Sequence, residues 1–503
     1  MKTFAAIAVA ATLVVKTIAF STEPCPADEI NKLIKLGLAP GLTECQDTTG
    51  FNFVPPSGYP TDEQIFLMCG TGECRTTLAF LADLQPLDCQ SNFLGVTMNV
   101  RNISDSFRPA CTALGFDCAQ QLSTAPPLSA TFARLAKDAY KSETSTRERE
   151  PASAITIDGR LDEAAWEEVP WSEDFVDIRG RRHWSQPWLA TRVKLRFDDR
   201  FLYVGAYVEE TAVWANVSAR NDVVFADNDF EVFVDADGSA HNYKELEVNA
   251  INTTWNLWLD RPYRDGGHEN STRVDPAFGF DMVGKGLASA VFMKGTPNDP
   301  DQELHFWTVE IALPLKELAR HTGAVVPPAP RSFWRINFSR VEWPVAVRRG
   351  SGSGGGGARF EKIPGQQEDN WVWSPQHAVD MHRPENWGYM QFRTRLDDAQ
   401  DGGAVPLDPE WNVRYLAFQL YYAQHAFRAA NGRFATRLAP LAAFFRSKRA
   451  FPCVDLRELR VDSSAGTFAA TVAAAGDPAF LARIRDDSFI TVRRATGAAV
   501  SVE

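Results

Sequence analysis

The chain has 503 residues, 45% of them hydrophobic, and a formal net charge of −12. That length exceeds what one hydrophobic core serves, so several domains are expected. The acidic balance excludes a general binder of nucleic acid or anionic membrane, because no basic stripe occurs; the short run Arg179, Arg181, Arg182 sits among acids.

The first residues set the compartment. Met1-Lys2, an apolar run over residues 4–15 and polar sequence from Ser21 have the layout of a secretory signal peptide over residues 1–20. It is too short to span a bilayer, and no later apolar stretch approaches about 20 residues, so no transmembrane anchor is expected. The expectation is a secreted, extracellular protein. Five N-x-[ST] sequons, at Asn102, Asn216, Asn252, Asn270 and Asn337, are candidate glycan sites.

Seven of the eight cysteines lie between Cys25 and Cys118, whereas thirteen of the fourteen tryptophans lie between Trp166 and Trp387. Regions that use such different residues are held by different physics. Residues 22–121 read as a small disulfide-stapled α-helical head, with apolar spacing that predicts helix over 29–38 and 61–84. Six cysteines allow fifteen pairings, and spacing alone does not choose among them. Cys25, Cys45, Cys69, Cys74, Cys89 and Cys111 are separated by 19, 23, 4, 14 and 21 residues, with Leu67-Met68-Cys69 and Pro86-Leu87-Asp88-Cys89 as local strings. This framework resembles that of the elicitins, small secreted oomycete proteins that bind sterols and provoke plant defences. The resemblance implies bridges Cys25–Cys89, Cys45–Cys74 and Cys69–Cys111 around an apolar cavity. Where sterol-binding elicitins carry two tyrosines, this chain has Ile65 and Ile103. The hydroxyls that fix a sterol's oxygen are thus replaced while the cavity stays apolar. A sterol or lipid carrier that perturbs host defence and a structural or host-recognised module are both open readings of the head.

Residues 122–151 combine low apolar content, high charge and prolines, and read as a linker with a short helix around 130–140. From residue 152 to 395 the pattern becomes β. Alternation at 193–197, 202–208, 230–234 and 245–249, with further strands at 306–313, 333–338 and 388–392, predicts an antiparallel β-sandwich. The strings Ile157-Asp-Gly-Arg-Leu-Asp-Glu-Ala-Ala-Trp166, Asp229-Phe-Glu-Val-Phe-Val-Asp235, Tyr243-Lys-Glu-Leu-Glu-Val-Asn249 and Trp387-Gly-Tyr-Met-Gln-Phe392 resemble the family 9 carbohydrate-binding module. That resemblance implies a polysaccharide or oligosaccharide partner, no required cofactor and a possible structural calcium.

On residues 243–249 the two-residue period turns Leu246 and Val248 to the core and groups Glu245, Glu247 and Asn249 on the other face. The resemblance puts Phe225 where a stacking tryptophan stands, Glu231 at a hydroxyl-binding carboxylate, and Met381, beside His382 and Arg383, at the second stacking tryptophan. The carbohydrate-binding set expected is therefore Phe225, Glu231, Glu247, Asn249 and Trp255. Trp166, Trp171 and Trp387 read as core, while Trp255 and Trp258 divide evenly between core and platform. Asp227, Asp229, Asp235 and Asp237 offer oxygen ligands for calcium and fit an ordinary acidic turn equally well. Paired carboxylates among Glu231, Glu245 and Glu247 keep a glycoside hydrolase as the enzymatic alternative to a non-catalytic binding protein. The glycine-rich run at 350–357 lacks the Lys-Ser/Thr of a phosphate loop.

Residues 404–503 read as a small α+β region. Trp411, Tyr415, Phe418, Tyr422 and Phe427 form a helical stripe closed by Asn431-Gly432, and strands are expected at 451–456, 467–472 and 489–492. Cys118 and Cys453 are left over from the six-cysteine framework.

Overall fold

The computed structural model describes residues 21–113, 133–137, 155–349, 357–394, 408–445 and 454–494, apart from positions 57, 71, 94, 182, 409, 475 and 476. The signal-peptide segment, most of the 122–151 linker, Cys118 and Cys453 lie outside the described residues. The chain divides into two compact units, residues 1–123 with 435–456 and residues 124–434 with 457–503.

In the first unit the helices are α1 (Ala27–Ile34), α2 (Leu42–Thr49), α3 (Asp62–Gly70), α4 (Gly72–Asp83) and α5 (Val100–Ala113). A hairpin of β1 (Gln90–Phe93) and β2 (Val96–Asn99) separates α4 from α5. The helical pattern over 61–84 is split between α3 and α4, because Gly70 and Gly72 weaken the helix where they meet. Leu33, Phe51, Met68, Leu78, Leu81 and Met98 form the core. Two of the expected bridges are present, Cys25–Cys89 and Cys45–Cys74, and the second ties α2 to α4. Cys69 is also disulfide-bonded; the side chain of its expected partner, Cys111, lies outside the described residues.

The second unit is a β-sandwich. Its strands are β3 (Ala133–Lys137), β4 (Val176–Asp177), β5 (Thr191–Phe197), β6 (Phe201–Glu209), β7 (Asp229–Asp235), β8 (Tyr243–Asn249), β9 (Thr254–Leu259), β10 (Glu269–Asn270), β11 (Ala288–Phe292), β12 (Phe306–Pro314), β13 (Phe333–Glu342), β14 (Val345–Arg348), β15 (Arg359–Lys362), β16 (Asp369–Val372) and β17 (Gly388–Thr394). Two short helices, α6 (Ala164–Glu167) and α7 (Leu315–Leu318), follow the opening motif and β12. The strand order is β10-β9-β8-β7-β13-β17-β3-β5-β6-β12-β11, with β16 alongside β13 and β4 on β16. Alternation turns Phe230, Val232 and Val234 of β7 and Leu246 and Val248 of β8 into one core with Val204 of β6 and Ile311 of β12. Trp166, Trp307, Trp371, Trp373 and Trp387 are fully buried, as expected for Trp166 and Trp387, while Trp171 is half-buried under the cations of Arg192 and Lys194.

The helix expected around 130–140 is a correction. Residues 133–137 form β3, parallel to both β17 and β5. Pairing on both edges satisfies its backbone groups, and that tertiary gain overrides the helical propensity of Ala-Arg-Leu-Ala-Lys. Of the five candidate sequons, that at Asn337 lies in the core. Asn337 is fully buried on β13, where its amide donates to the Ser374 carbonyl at 2.8 Å, so the folded chain offers no glycan acceptor there.

The C-terminal region is α+β, as expected. The aromatic stripe forms α8 (Trp411–Asn431), and Gly432 caps it at φ 73° with its N–H donating to the Arg428 carbonyl. The strands β18 (Val454–Asp462), β19 (Thr467–Ala474), β20 (Asp477–Arg485) and β21 (Ile490–Arg494) form a sheet in that order, and α8 packs on β19, β20 and β21. No described helix is long and apolar enough to cross a membrane.

Candidate functional site

The face of β7, β8 and β9 opposite the sandwich core carries the site. Register fixes its rows: Ser339 of β13, Glu231 of β7, Glu247 of β8 and Trp255 of β9 lie side by side. The next row reads Asn337, Phe233, Glu245 and Leu257. A cleft of about 520 Å³ opens over these rows, and Phe225, Glu231, Glu247 and Trp255 all line it. Phe225 reaches it from the turn before β7 and is 41% exposed. Its ring lies 6.3 Å from that of Trp255 with 30° between the planes, so the two make one aromatic wall. The Phe225 N–H donates to Glu247 Oε2 at 3.0 Å, which ties the wall to the carboxylate row.

The carboxylates are buried and crowded. Glu231 is pushed up to about 7 by burial. Burial also raises Glu245 and Glu247, and nearby carboxylates add to it: Glu231 beside Glu245, and Asp229, Glu231 and Glu245 beside Glu247. Asp229, fully buried, is raised by burial and by Glu231. Oxygens of Asp229, Glu231 and Glu247 lie within 4.8 Å of one another. Such a set accepts hydrogen bonds strongly when ionised and donates them when protonated.

One expected placement needs correction. Asn249 continues the face by periodicity but lies outside the cleft, where its amide donates to the Val217 carbonyl and Asp227. At the end of β8 its job is to close the turn to Thr253, whose N–H it accepts. No three of the four aspartates bring their oxygens together; the close oxygen groups among the described residues are Asp229 with Glu231 and Glu247, and Asp158 with Glu163 and Glu310. Asp229 and Asp235 share a face but stand six residues apart, roughly 20 Å along the strand. Asp227 accepts the N–H groups of Asn216 and Val217, and Asp237 those of Ser239 and Gly323, as loop anchors. Trp258 is half-buried and stacks on His321 at 4.2 Å, away from the cleft, whereas Trp255 is its wall.

Met381 lines the cleft as expected; His382 beside it, and Tyr263, which the sequence reading missed, supply the aromatic surface at that end. Tyr263 is half-exposed and meets His382 edge-on at 4.5 Å, and Tyr243 shares a hydrogen bond of 3.1 Å with His382 Nδ1. Burial pushes His382 down to about 4, so its ring is neutral. Arg273 pairs with Glu269 and holds its guanidinium 5.0 Å over the Trp255 ring. Phe233 and Leu257 were readable from the two-residue period. Tyr263, Arg273 and His382 sit on loops, where no period points to them. Arg383 turns away from the cleft to the Gln376 carbonyl and the Tyr422 hydroxyl.

The first unit has its own cavity, about 350 Å³, whose lining among the described residues is apolar residues and proline. Ile103 lines it with Leu33, Phe51, Phe53, Met98 and Val100, whereas Ile65 does not. Ile65 is half-buried on α3, so its replacement of a tyrosine does not shape this pocket.

Residues 24–111 match the family model described as elicitin, and residues 157–273 match that described as carbohydrate family 9 binding domain-like. Elicitin-like protein 1 of Pythium oligandrum is 33% identical over 131 residues, which cover 24% of this chain and 75% of the relative. The chain belongs to the elicitin family. Beyond the elicitin head, residues 157–273 are similar to the family 9 binding domain and lie on the β-sandwich. Among solved structures, sylvaticin from Pythium sylvaticum is 43% identical over 18% of this chain and 96% of its own, with a TM-score of 0.17. A family 9 carbohydrate-binding module from Caldicellulosiruptor kristjanssonii, solved with cellotriose, is 15% identical over 55% of this chain and all of its own, with a TM-score of 0.31.

Proposed function

We propose that the protein is a secreted, non-catalytic carbohydrate-binding protein acting at plant or microbial cell walls, with the sandwich cleft as its sugar site. The observation that carries this reading is the meeting of Phe225, Trp255, Glu231 and Glu247 in one cleft. An aromatic wall suits the apolar face of a pyranose ring, and convergent carboxyl groups suit its hydroxyls. Isothermal titration of the full-length protein against cello-, xylo- and other short oligosaccharides tests the reading. Binding is expected, with Trp255→Ala weakening it roughly tenfold. No binding to any glycan sinks it. Release of reducing sugar, abolished by Glu231→Gln or Glu247→Gln, replaces it with hydrolysis.

The elicitin head supports a second reading, carriage of a sterol or other lipid, because the described residues that line its cavity are all apolar. Uptake of a fluorescent sterol by the full-length protein, reversed by unlabelled lipid, is expected on that reading. Absence of uptake rejects it.

A further inference from the structure

The carboxyl content of the sandwich cleft goes beyond what a neutral sugar requires. Six carboxyl groups among the described residues line it, those of Glu231, Glu245, Glu247, Glu269, Glu368 and Asp380, against the guanidinium of Arg273 and the neutral ring of His382. Arg273 is already paired with Glu269. Among the described residues, the groups that act on Glu231, Glu245 and Glu247 are one another, Asp229, Glu269, a serine hydroxyl and the Phe225 N–H, with no cationic side chain among them. Glu245 is 95% buried by its 5% exposure, and its Oε2 has no hydrogen-bond partner among the described residues. An orphaned buried carboxylate oxygen costs free energy unless a ligand brings it a donor. A neutral pyranose supplies hydroxyl donors but brings no cation to favour the ionised carboxylates over the protonated forms that burial and crowding favour.

The aromatic wall has a matching property. Trp255 holds the Arg273 guanidinium over its ring, so that face already accommodates a cation. A cleft of about 520 Å³ is far larger than a bare metal ion needs, and Phe225 and Trp255 offer an ion no ligand atoms. We infer that the cleft takes a saccharide bearing a protonated amine, an amino sugar, with its ammonium group against Glu231, Glu245 and Glu247 and its ring on Phe225 and Trp255. This rests on the sugar-binding reading and names the substrate class of that site. An arriving ammonium favours the ionised carboxylates, so binding releases protons to the solvent.

Calorimetry of the full-length protein compares glucosamine, N-acetylglucosamine and glucose oligomers of equal length, each with EDTA and with calcium chloride. The glucosamine oligomer is expected to bind about tenfold tighter than either neutral one, weakening as salt rises. In two buffers of different ionisation heat, the apparent enthalpies are expected to differ by the heat of the released protons. Glu245→Gln is expected to abolish the preference while leaving the thermal midpoint by tryptophan fluorescence unchanged or higher, which a merely structural role for Glu245 does not produce. Neutral oligomers binding as tightly as the amine overturn the inference and leave the sugar reading standing. Binding of neutral oligomers that requires calcium assigns the carboxylates to a metal and also overturns it. No binding by any oligomer overturns both.

Discussion

Glu231 and Glu247 face each other across β7 and β8, the arrangement in which like charges destabilise a sheet. Their burial has a consequence for stability. Glu231, Asp235 and Glu310 are each pushed up to about 7 by burial, from ordinary values of 4.5, 3.8 and 4.5. Between those limits the folded unit holds protons that the unfolded chain has released, so stability falls as pH rises through the window. His382, lowered to about 4 from 6.5, acts with the opposite sign, but only below 6.5. Lys244, lowered to about 7, opposes the carboxylates only above that value and is a single group. Acidification from pH 7.5 to 6.5 is therefore expected to raise the midpoint of the sandwich, on the order of a few degrees. Glu247→Gln is expected to raise the midpoint at pH 7.5 and flatten the slope. A midpoint that climbs with pH over this interval contradicts the assignment. Periodicity placed Glu245 and Glu247 on one face and the family resemblance pointed to Glu231; the directly opposed register of Glu231 and Glu247 needed the pairing of β7 with β8.

At the scale of elements, legibility followed the strength of the local pattern. The long helix α8 was readable to its cap, because five aromatic positions at helical spacing run into Asn431-Gly432. Strands β5, β6, β7, β8, β12, β13 and β17 were readable from alternation, each burying one face in the shared core. β9 was not, because Thr-Trp-Asn-Leu-Trp-Leu buries both faces and its alternation is blurred. β3 was misread, since only its neighbours' free edges make a strand of that sequence. The role of α8 was equally hidden. Its Tyr422 hydroxyl donates to Glu385, which pairs with Arg264 at 2.9 Å, and Tyr421 donates to Asp265 at 2.5 Å. Arg264 and Asp265 directly follow Tyr263, so the C-terminal helix braces one end of the cleft. Aromatic residues that read as simple core packing thus also carry the hydroxyls of a polar network.

In the whole molecule, cysteine and tryptophan remain separated. All fourteen tryptophans belong to the sandwich unit, and residues 124–434 and 457–503 contain no cysteine. Reduction therefore acts on one unit and tryptophan fluorescence reports the other. Dithiothreitol is expected to destabilise the helical head by about 2–4 kcal/mol per bridge, followed by far-ultraviolet circular dichroism. The fluorescence-detected transition is expected to stay within a degree or so of its oxidised midpoint. A large shift in that transition contradicts the independence of the two cores.

The sequence by itself determined the two modules, because cysteine spacing and two-residue alternation are local properties of the chain. It also determined which carboxylates share a face, since that follows from the strand period. Only the tertiary structure decided that Asn249 closes a turn, that Ile65 misses the head cavity, and that Tyr263, Arg273 and His382 complete the cleft. Those outcomes depend on register and loop return, which no local pattern encodes. The same register packs buried carboxylates into one cleft, and the character of the proposed ligand follows from that crowding.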